Sequence, residues 1–141
     1  MKNFELKYDM SQIDQVVKEF AQRVQDKQVI TFTGSLGAGK TTFVSHLLRN
    51  WGVQGPVTSP TFTYMNVYHL SDGRVAYHFD LYRLGNLEEF EQAGFTEYLY
   101  QENSICLIEW PEVISSLLTQ SVSFVSLEFI DQDTRKLQYN I

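Results

Sequence analysis

The stretch that most constrains this chain is QVITFTGSLGAGKTTF, residues 28–43. Residues 28–33 form an apolar run with β-branched and aromatic members, which reads as a buried strand. That run feeds directly into a loop holding Gly34, Gly37 and Gly39. Beyond the loop, Phe43, Val44, Leu47, Leu48 and Trp51 recur at helical spacing, and Gly52 is placed to end the helix. The loop itself, Gly34-Ser35-Leu36-Gly37-Ala38-Gly39-Lys40-Thr41, satisfies GxxxxGK[ST] in full, in the strand–loop–helix setting that the motif requires. Glycines serve here because backbone N–H groups must turn inward around a phosphate, with no Cβ in the way. The first N–H groups of the helix are unpaired and carry partial positive charge, so phosphate oxygens fit there. Lys40 supplies a point charge to the β and γ phosphates, Thr41 a hydroxyl ligand for Mg²⁺, and Thr42 a donor to the α phosphate. The expected ligand is a nucleoside triphosphate.

The other segments fit an α/β frame. Phe4 to Tyr8 reads as an edge strand, and a helix follows from Ser11, where Ser11-x-x-Asp14 resembles a capping box. Its apolar face is Ile13, Val16, Val17, Phe20, Ala21 and Val24. Phe62 to Leu70 and Val75 to Phe79 read as a hairpin around Ser71-Asp72-Gly73-Arg74. Glu88 to Ala93 and Thr96 to Gln101 read as short helices, Ser104 to Glu109 as a strand and Glu112 to Leu118 as a helix. Strands near Val122–Phe129 and Lys136–Ile141 close the chain. The expectation is one domain over residues 1–141, a three-layer P-loop fold on a mixed, mostly parallel sheet.

A phosphate loop needs an acidic residue at the end of a buried strand, and two segments compete. ICLIE, residues 105–109, is uniformly apolar before its acid, as a strand covered on both faces must be. VAYHFD, residues 75–80, carries Tyr77 and His78 and reads as half exposed. Glu109 therefore takes the metal-side role, directly or through water, and Asp80 is a second carboxylate that orients the attacking water or the metal shell. No [NT]KxD sequence is present to read guanine. The arginines, at 23, 49, 74, 83 and 135, form no cluster of the kind that closes a small-molecule kinase over its donor. ATP, and hydrolysis, are the better expectations.

Composition excludes some partners. With a formal charge of -6, the chain offers no global basic footprint for nucleic acid. No apolar run approaches the roughly 18 residues of a membrane span, and the start MKNFELKYDM has no apolar signal segment; the cytoplasm is the expected compartment. A single cysteine, Cys106, rules out an intramolecular disulfide and sits inside the buried strand.

Taken in order, GSLGAGKTT, SPTF (59–62), HFDLYRL (78–84) and ICLIEW (105–110) resemble the TsaE family, the bacterial ATPases of tRNA threonylcarbamoyladenosine synthesis. The resemblance runs from about Phe4 to about Leu118; the tail beyond carries no matching motif. It implies a P-loop α/β fold and slow hydrolysis of ATP to ADP with Mg²⁺. It also implies association with the TsaD–TsaB pair, which transfers threonylcarbamoyl to a tRNA adenosine, and a hydrolysis step that resets that machine between turnovers. On this resemblance Thr61 falls at a switch-like position sensing the γ phosphate and Mg²⁺. Asp80 and Glu109 form the family's acidic pair, and Trp110 lies next to the nucleotide pocket. Ser35 departs from the family, whose members usually carry Asp or Glu there.

Other readings stand beside these. Thr61, after Pro60, also suits plain turn chemistry, and Trp110 suits a packed core or interface. Arg83 either reaches a phosphate or pairs with Glu88 or Glu89. Glu88-Glu89-Phe90-Glu91 suits a solvated helix start, and Tyr64, Tyr68, Tyr98 and Tyr100 suggest an aromatic docking patch. A nucleotide-dependent adaptor with negligible hydrolysis shares every binding residue with the ATPase. A small-molecule kinase lacks its arginine lid.

Overall fold

The computed structural model describes residues 2–141, so Met1 alone of the expected domain lies outside it. Its elements are β1 (Asn3–Asp9), α1 (Ile13–Arg23), β2 (Val29–Thr33), α2 (Lys40–Asn50), β3 (Met65–His69), β4 (Val75–Asp80), α3 (Leu87–Gln92), β5 (Ser104–Glu109), β6 (Val122–Phe129) and β7 (Thr134–Asn140). Three 3-10 turns, Met10–Gln12, Phe95–Tyr98 and Pro111–Leu117, complete the set.

All seven strands form one sheet in the order β1-β7-β6-β2-β5-β4-β3. The strand that feeds the glycine loop takes the centre: Val29, Ile30, Thr31 and Phe32 of β2 are each fully buried. β2 runs parallel to both β5 and β6, and β4 runs parallel to β5. The β3–β4, β6–β7 and β1–β7 pairings are antiparallel. The result is the mixed sheet expected, with a parallel core of β6, β2, β5 and β4 and antiparallel edges. The loop after β2 therefore opens at the carboxyl ends of parallel strands, where open α/β sheets bind ligands.

Helices α1 and α2 cover one face. Phe20 of α1 meets Phe43 of α2 edge-on at 5.3 Å and Tyr139 of β7 at 4.8 Å, and Phe32 lies beneath Phe43 at 5.8 Å. Arg23 seals this edge by donating to the Tyr139 hydroxyl (2.7 Å) while stacking over Phe4. The opposite face carries a second core, where Phe79 and Phe90 pack with Phe95, Ile108 and Ile114. Cys106 belongs to this core; burial pushes its thiol up to about 12, which makes it a structural residue.

Local expectations fail where backbone hydrogen bonds decide. The capping box lies at Asp9 and Gln12 rather than at Ser11, because Asp9 accepts from Ser11 N while Gln12 accepts from Asp9 N. β3 begins at Met65 and not at Phe62, since Tyr64 N bonds to Pro60 O and Tyr64 adopts φ 65. The segment expected as a helix over 112–118 is a 3-10 turn broken by a non-helical Ile114 (φ -117). The one over 96–101 shortens to the turn Phe95–Tyr98. The four tyrosines make no common patch: Tyr68 packs on the first core, and Tyr64, Tyr98 and Tyr100 pack on the second.

Candidate functional site

The glycine loop is held by its own chain before any ligand is considered. Gly34 (φ 148) passes so close to β6 that a Cβ there would meet the Leu127 carbonyl at 2.4 Å. Ala38 is fully buried in the first core, and its N–H bonds to Ser35 O at 3.1 Å. Gly34 and Ala38 thus fasten the loop to the sheet, while Gly37 (φ 81) faces open space where an added Cβ would meet nothing within 4 Å. α2 starts after Gly39, which is left-handed (φ 99) and offers no side-chain cap. Phe43 N reaches the Gly39 carbonyl at 2.9 Å. The N–H groups of Lys40, Thr41 and Thr42 ahead of it are the free donors of a helix start.

Lys40 is buried. Its Nζ donates to the carbonyls of Gly34 and Ser35, the latter at 3.0 Å, and lies 4.2 Å above the Trp110 ring. Desolvation holds its ammonium below the ordinary lysine range, opposed by the charges of Glu109, Asp80 and Glu112. Trp110 adopts the left-handed backbone (φ 56) at the end of β5 and stacks on Tyr82 with centroids 4.9 Å apart. A bulky residue in that region is strained, which the contacts of the ring with Lys40 and Tyr82 help to offset.

Asp80 and Glu109 are direct register partners at the ends of β4 and β5, yet their surroundings differ. Glu109 is 2 % exposed, and its carboxylate accepts the Thr41 hydroxyl at 2.9 and 3.1 Å and stands 2.6 Å from His78 Nε2. Asp80 is half-buried. It accepts from Tyr82 N (3.0 Å) and at long range from Ser59 Oγ (3.4 Å), to which Thr61 Oγ1 donates at 3.1 Å. The structure thus joins Thr61 to Asp80 through Ser59, and its hydroxyl bonds there and not to the Thr41–Glu109 pair. Arg83 makes no pair with Glu88 or Glu89; it stacks over Phe62 at 5.2 Å. Glu89 instead accepts from Gly85 N at 2.8 Å, a local loop bond that competes for its carboxylate.

These residues line one cavity of about 470 Å³, within the range of nucleotide-sized sites. Its walls include Leu36, Gly37, Gly39, Lys40, Thr41, Thr42, Thr61, Asp80, Glu109 and Trp110 from the sequence expectations. Gly34, Ser35 and Ala38 lie behind that wall. A wider concavity of about 670 Å³ lies on the sheet between β1, β7 and β6, and among the described residues its one charged lining residue is Glu5.

Three residues escaped the sequence reading. Ser59 bridges Thr61 to Asp80. His78, expected on a half-exposed strand, is fully buried and stands beside Glu109 of the neighbouring strand. Arg135, in the tail where no motif was found, lines the cavity beside Gly39 and stacks over Phe129 at 4.7 Å. The spacing of SPTF and HFDLYRL contained the first two; only the β6–β7 hairpin brings in the third.

The donor set fits a metal-bound triphosphate. The buried Nε of Arg135 has no partner among the described residues, and an orphan donor beside a phosphate loop suits an anion. Thr41 gives its proton to Glu109, which leaves hydroxyl lone pairs for a cation. Among the described residues there is no cluster of three or more His, Cys, Asp or Glu that could hold a metal alone. That suits Mg²⁺, which is bound through one or two carboxylates plus substrate phosphates.

Comparison with known proteins identifies the family. The family model "Threonylcarbamoyl adenosine biosynthesis protein TsaE" matches residues 8–137. A relative from Haemophilus influenzae, named tRNA threonylcarbamoyladenosine biosynthesis protein TsaE, is 41% identical over 110 residues, covering 78% of this chain and 68% of its own length. One of the same name from Treponema pallidum is 39% identical over 115 residues, 81% of this chain and 82% of that protein. The crystal structure of Bacillus subtilis YdiB superposes with a TM-score of 0.72 at 27% identity, covering 98% of this chain and 84% of that one. The match reaches well past Leu118, so the tail that carries Arg135 is part of the likeness. This chain belongs to the TsaE family of tRNA threonylcarbamoyladenosine biosynthesis proteins.

Proposed function

We propose that the chain is a Mg²⁺-dependent ATPase of low basal activity that works with the TsaD–TsaB pair in the cytoplasm, its 141 residues acting as one domain. The observation that carries this reading is the convergence of Lys40, Thr41, Asp80 and Glu109 on one cavity at the mouth of a glycine loop. ATP places its phosphates along Gly37, Gly39 and the first N–H groups of α2. Lys40 exchanges the Gly34 and Ser35 carbonyls for phosphate oxygens, and Thr42 donates to the α phosphate. Thr41, and Glu109 directly or through water, would hold Mg²⁺, which would supply neutralisation of the phosphate charge. Asp80 and Thr61 stand on the γ side, where Asp80 orients the attacking water and Thr61 senses the phosphate through the Ser59 link. Arg135 contributes charge beside Gly39.

Low basal turnover and stimulation by partners are supported by the construction of the γ side. Ser59 and Thr61 sit on a loop, and the bond from Ser59 to Asp80 is long, at 3.4 Å. A partner that presses on this loop shortens the link. A net charge of -6 argues that tRNA is reached through the complex and not bound tightly by the chain alone. The test is ADP release from Mg-ATP by the protein alone and with purified TsaD–TsaB, with Lys40→Ala as blank. A slow rate that rises with the pair is the expected result. A rate that does not rise with an active pair overturns the coupling. A rate equal to the blank leaves the adaptor reading, which shares these binding residues.

A further inference from the structure

His78 is an expensive residue for the middle of a fold. It is fully buried, and its Nδ1 has no hydrogen-bond partner among the described residues. An unpaired buried polar atom loses its hydration without regaining a hydrogen bond. An apolar side chain of similar volume would fill the same place without that cost.

Among the described residues, the only polar contact of the ring is Nε2 to Glu109 Oε2, at 2.6 Å. The alternation of β4 explains how they meet. Tyr77 and Phe79 turn to the second core, while Ala76 joins the first, so His78 and Asp80 point to the α2 side. On β5, Ile105 and Leu107 join the first core and Cys106 and Ile108 the second, which sends Glu109 to the α2 side as well. The Glu109 carboxylate is therefore gripped from two directions, by Thr41 on α2 and by His78 on β4. Hydrogen-bond accounting sets the tautomer. A carboxylate only accepts, so Nε2 carries the proton. Nδ1 then presents a lone pair, which is cheaper to leave unpaired than an N–H.

We propose that His78 is a positioning residue for the Mg²⁺-side carboxylate: its Nε2–H clamps Glu109 in the orientation that takes the Thr41 proton and turns the Thr41 lone pairs toward the cavity. This rests on the Mg-ATP reading of the site and adds to it a residue that touches neither metal nor nucleotide. Groups that orient metal ligands in this way typically change metal affinity or activity by about 10–100-fold when removed.

The experiment measures, by calorimetry, the affinity for a non-hydrolysable ATP analogue across a range of Mg²⁺ concentrations. It compares wild type, His78→Leu, which fills the space without a donor, and His78→Gln, which carries an N–H near the Nε2 position. The leucine variant is expected to bind the metal-free analogue like wild type, but to need about 10–100-fold more Mg²⁺ for the metal-enhanced affinity. Its kcat falls more than its KM rises, and the glutamine variant recovers most of both. Melting temperatures without ligand report folding. If the leucine variant does not fold, His78→Asn, too short to reach Glu109, takes its place against glutamine. A donor-less variant with the wild-type Mg²⁺ requirement overturns the proposal, as does a glutamine variant that melts like wild type yet is as impaired as leucine. If the wild-type affinity itself ignores Mg²⁺, the ATPase reading fails first, which separates the two.

Discussion

The two halves of the cavity are built on different principles. The inner half, Lys40, Thr41, Glu109 and His78, stands on α2, β4 and β5; three of these four side chains are almost wholly buried, and all four are linked by short contacts to neighbouring segments. The outer half, Ser59, Thr61, Asp80 and Arg83, stands mostly on loops, is joined by hydrogen bonds of 3.1 to 3.4 Å, and is flanked by Phe62 at 83% exposure. Asp80 and Glu109 are the sharpest contrast, since they are register partners on adjacent strands. A rigid inner half suits binding, which needs preorganised charge. A loosely held outer half suits a hydrolysis step that waits for another protein to complete it.

The largest way to break this contrast is Lys40→Ala. Charge-assisted hydrogen bonds are worth about 1.5–3 kcal/mol each, so losing contacts to two phosphates should weaken Mg-ATP more than about a hundredfold. An unchanged binding isotherm would remove the phosphate-loop assignment. Next comes Glu109→Ala, expected to lower hydrolysis by about 10–100-fold while nucleotide binding falls less. Equal rates in variant and wild type would return the metal-side role to Asp80. Asp80→Asn should leave analogue affinity within a few-fold and lower the partner-stimulated rate by about tenfold, which is about 1.4 kcal/mol in the barrier and the scale of one hydrogen bond to the attacking water. A large loss of affinity in Asp80→Asn would merge the two halves into one. Thr61→Ala is the mildest: a few-fold weaker preference for ATP over ADP, consistent with losing one hydrogen bond of about 1 kcal/mol. An identical ATP/ADP ratio would reduce Thr61 to turn chemistry.

What sequence could reveal follows the same division. The strand at 29–33, the helix at 40–50 and the strand at 104–109 each carry their environment in their own pattern, because an all-apolar run can only be covered on both faces. His78 could not be placed this way. VAYHFD alternates like a half-exposed strand, and what its polar side meets is settled by long-range pairing, which sets His78 beside Glu109, 31 residues later in the chain. Arg135 is hidden for a related reason: it reaches the glycine loop only because β7 folds back on β6, pairing Phe129 with Arg135. The capping box moved from Ser11 to Asp9 because hydrogen bonds at a helix start are settled by backbone angles, which side-chain type only biases. Motifs with a backbone geometry of their own were legible. Contacts made by long-range pairing were not.

The most direct measurement is a crystal structure of the protein with Mg²⁺ and a non-hydrolysable ATP analogue. The account predicts phosphates along Gly37 and Gly39 with Lys40 turned toward them, the cation beside Thr41 and Glu109, and Asp80 facing the γ phosphate from the loop side. A nucleotide bound elsewhere, or a cation held by Asp80 with Glu109 uninvolved, would contradict it.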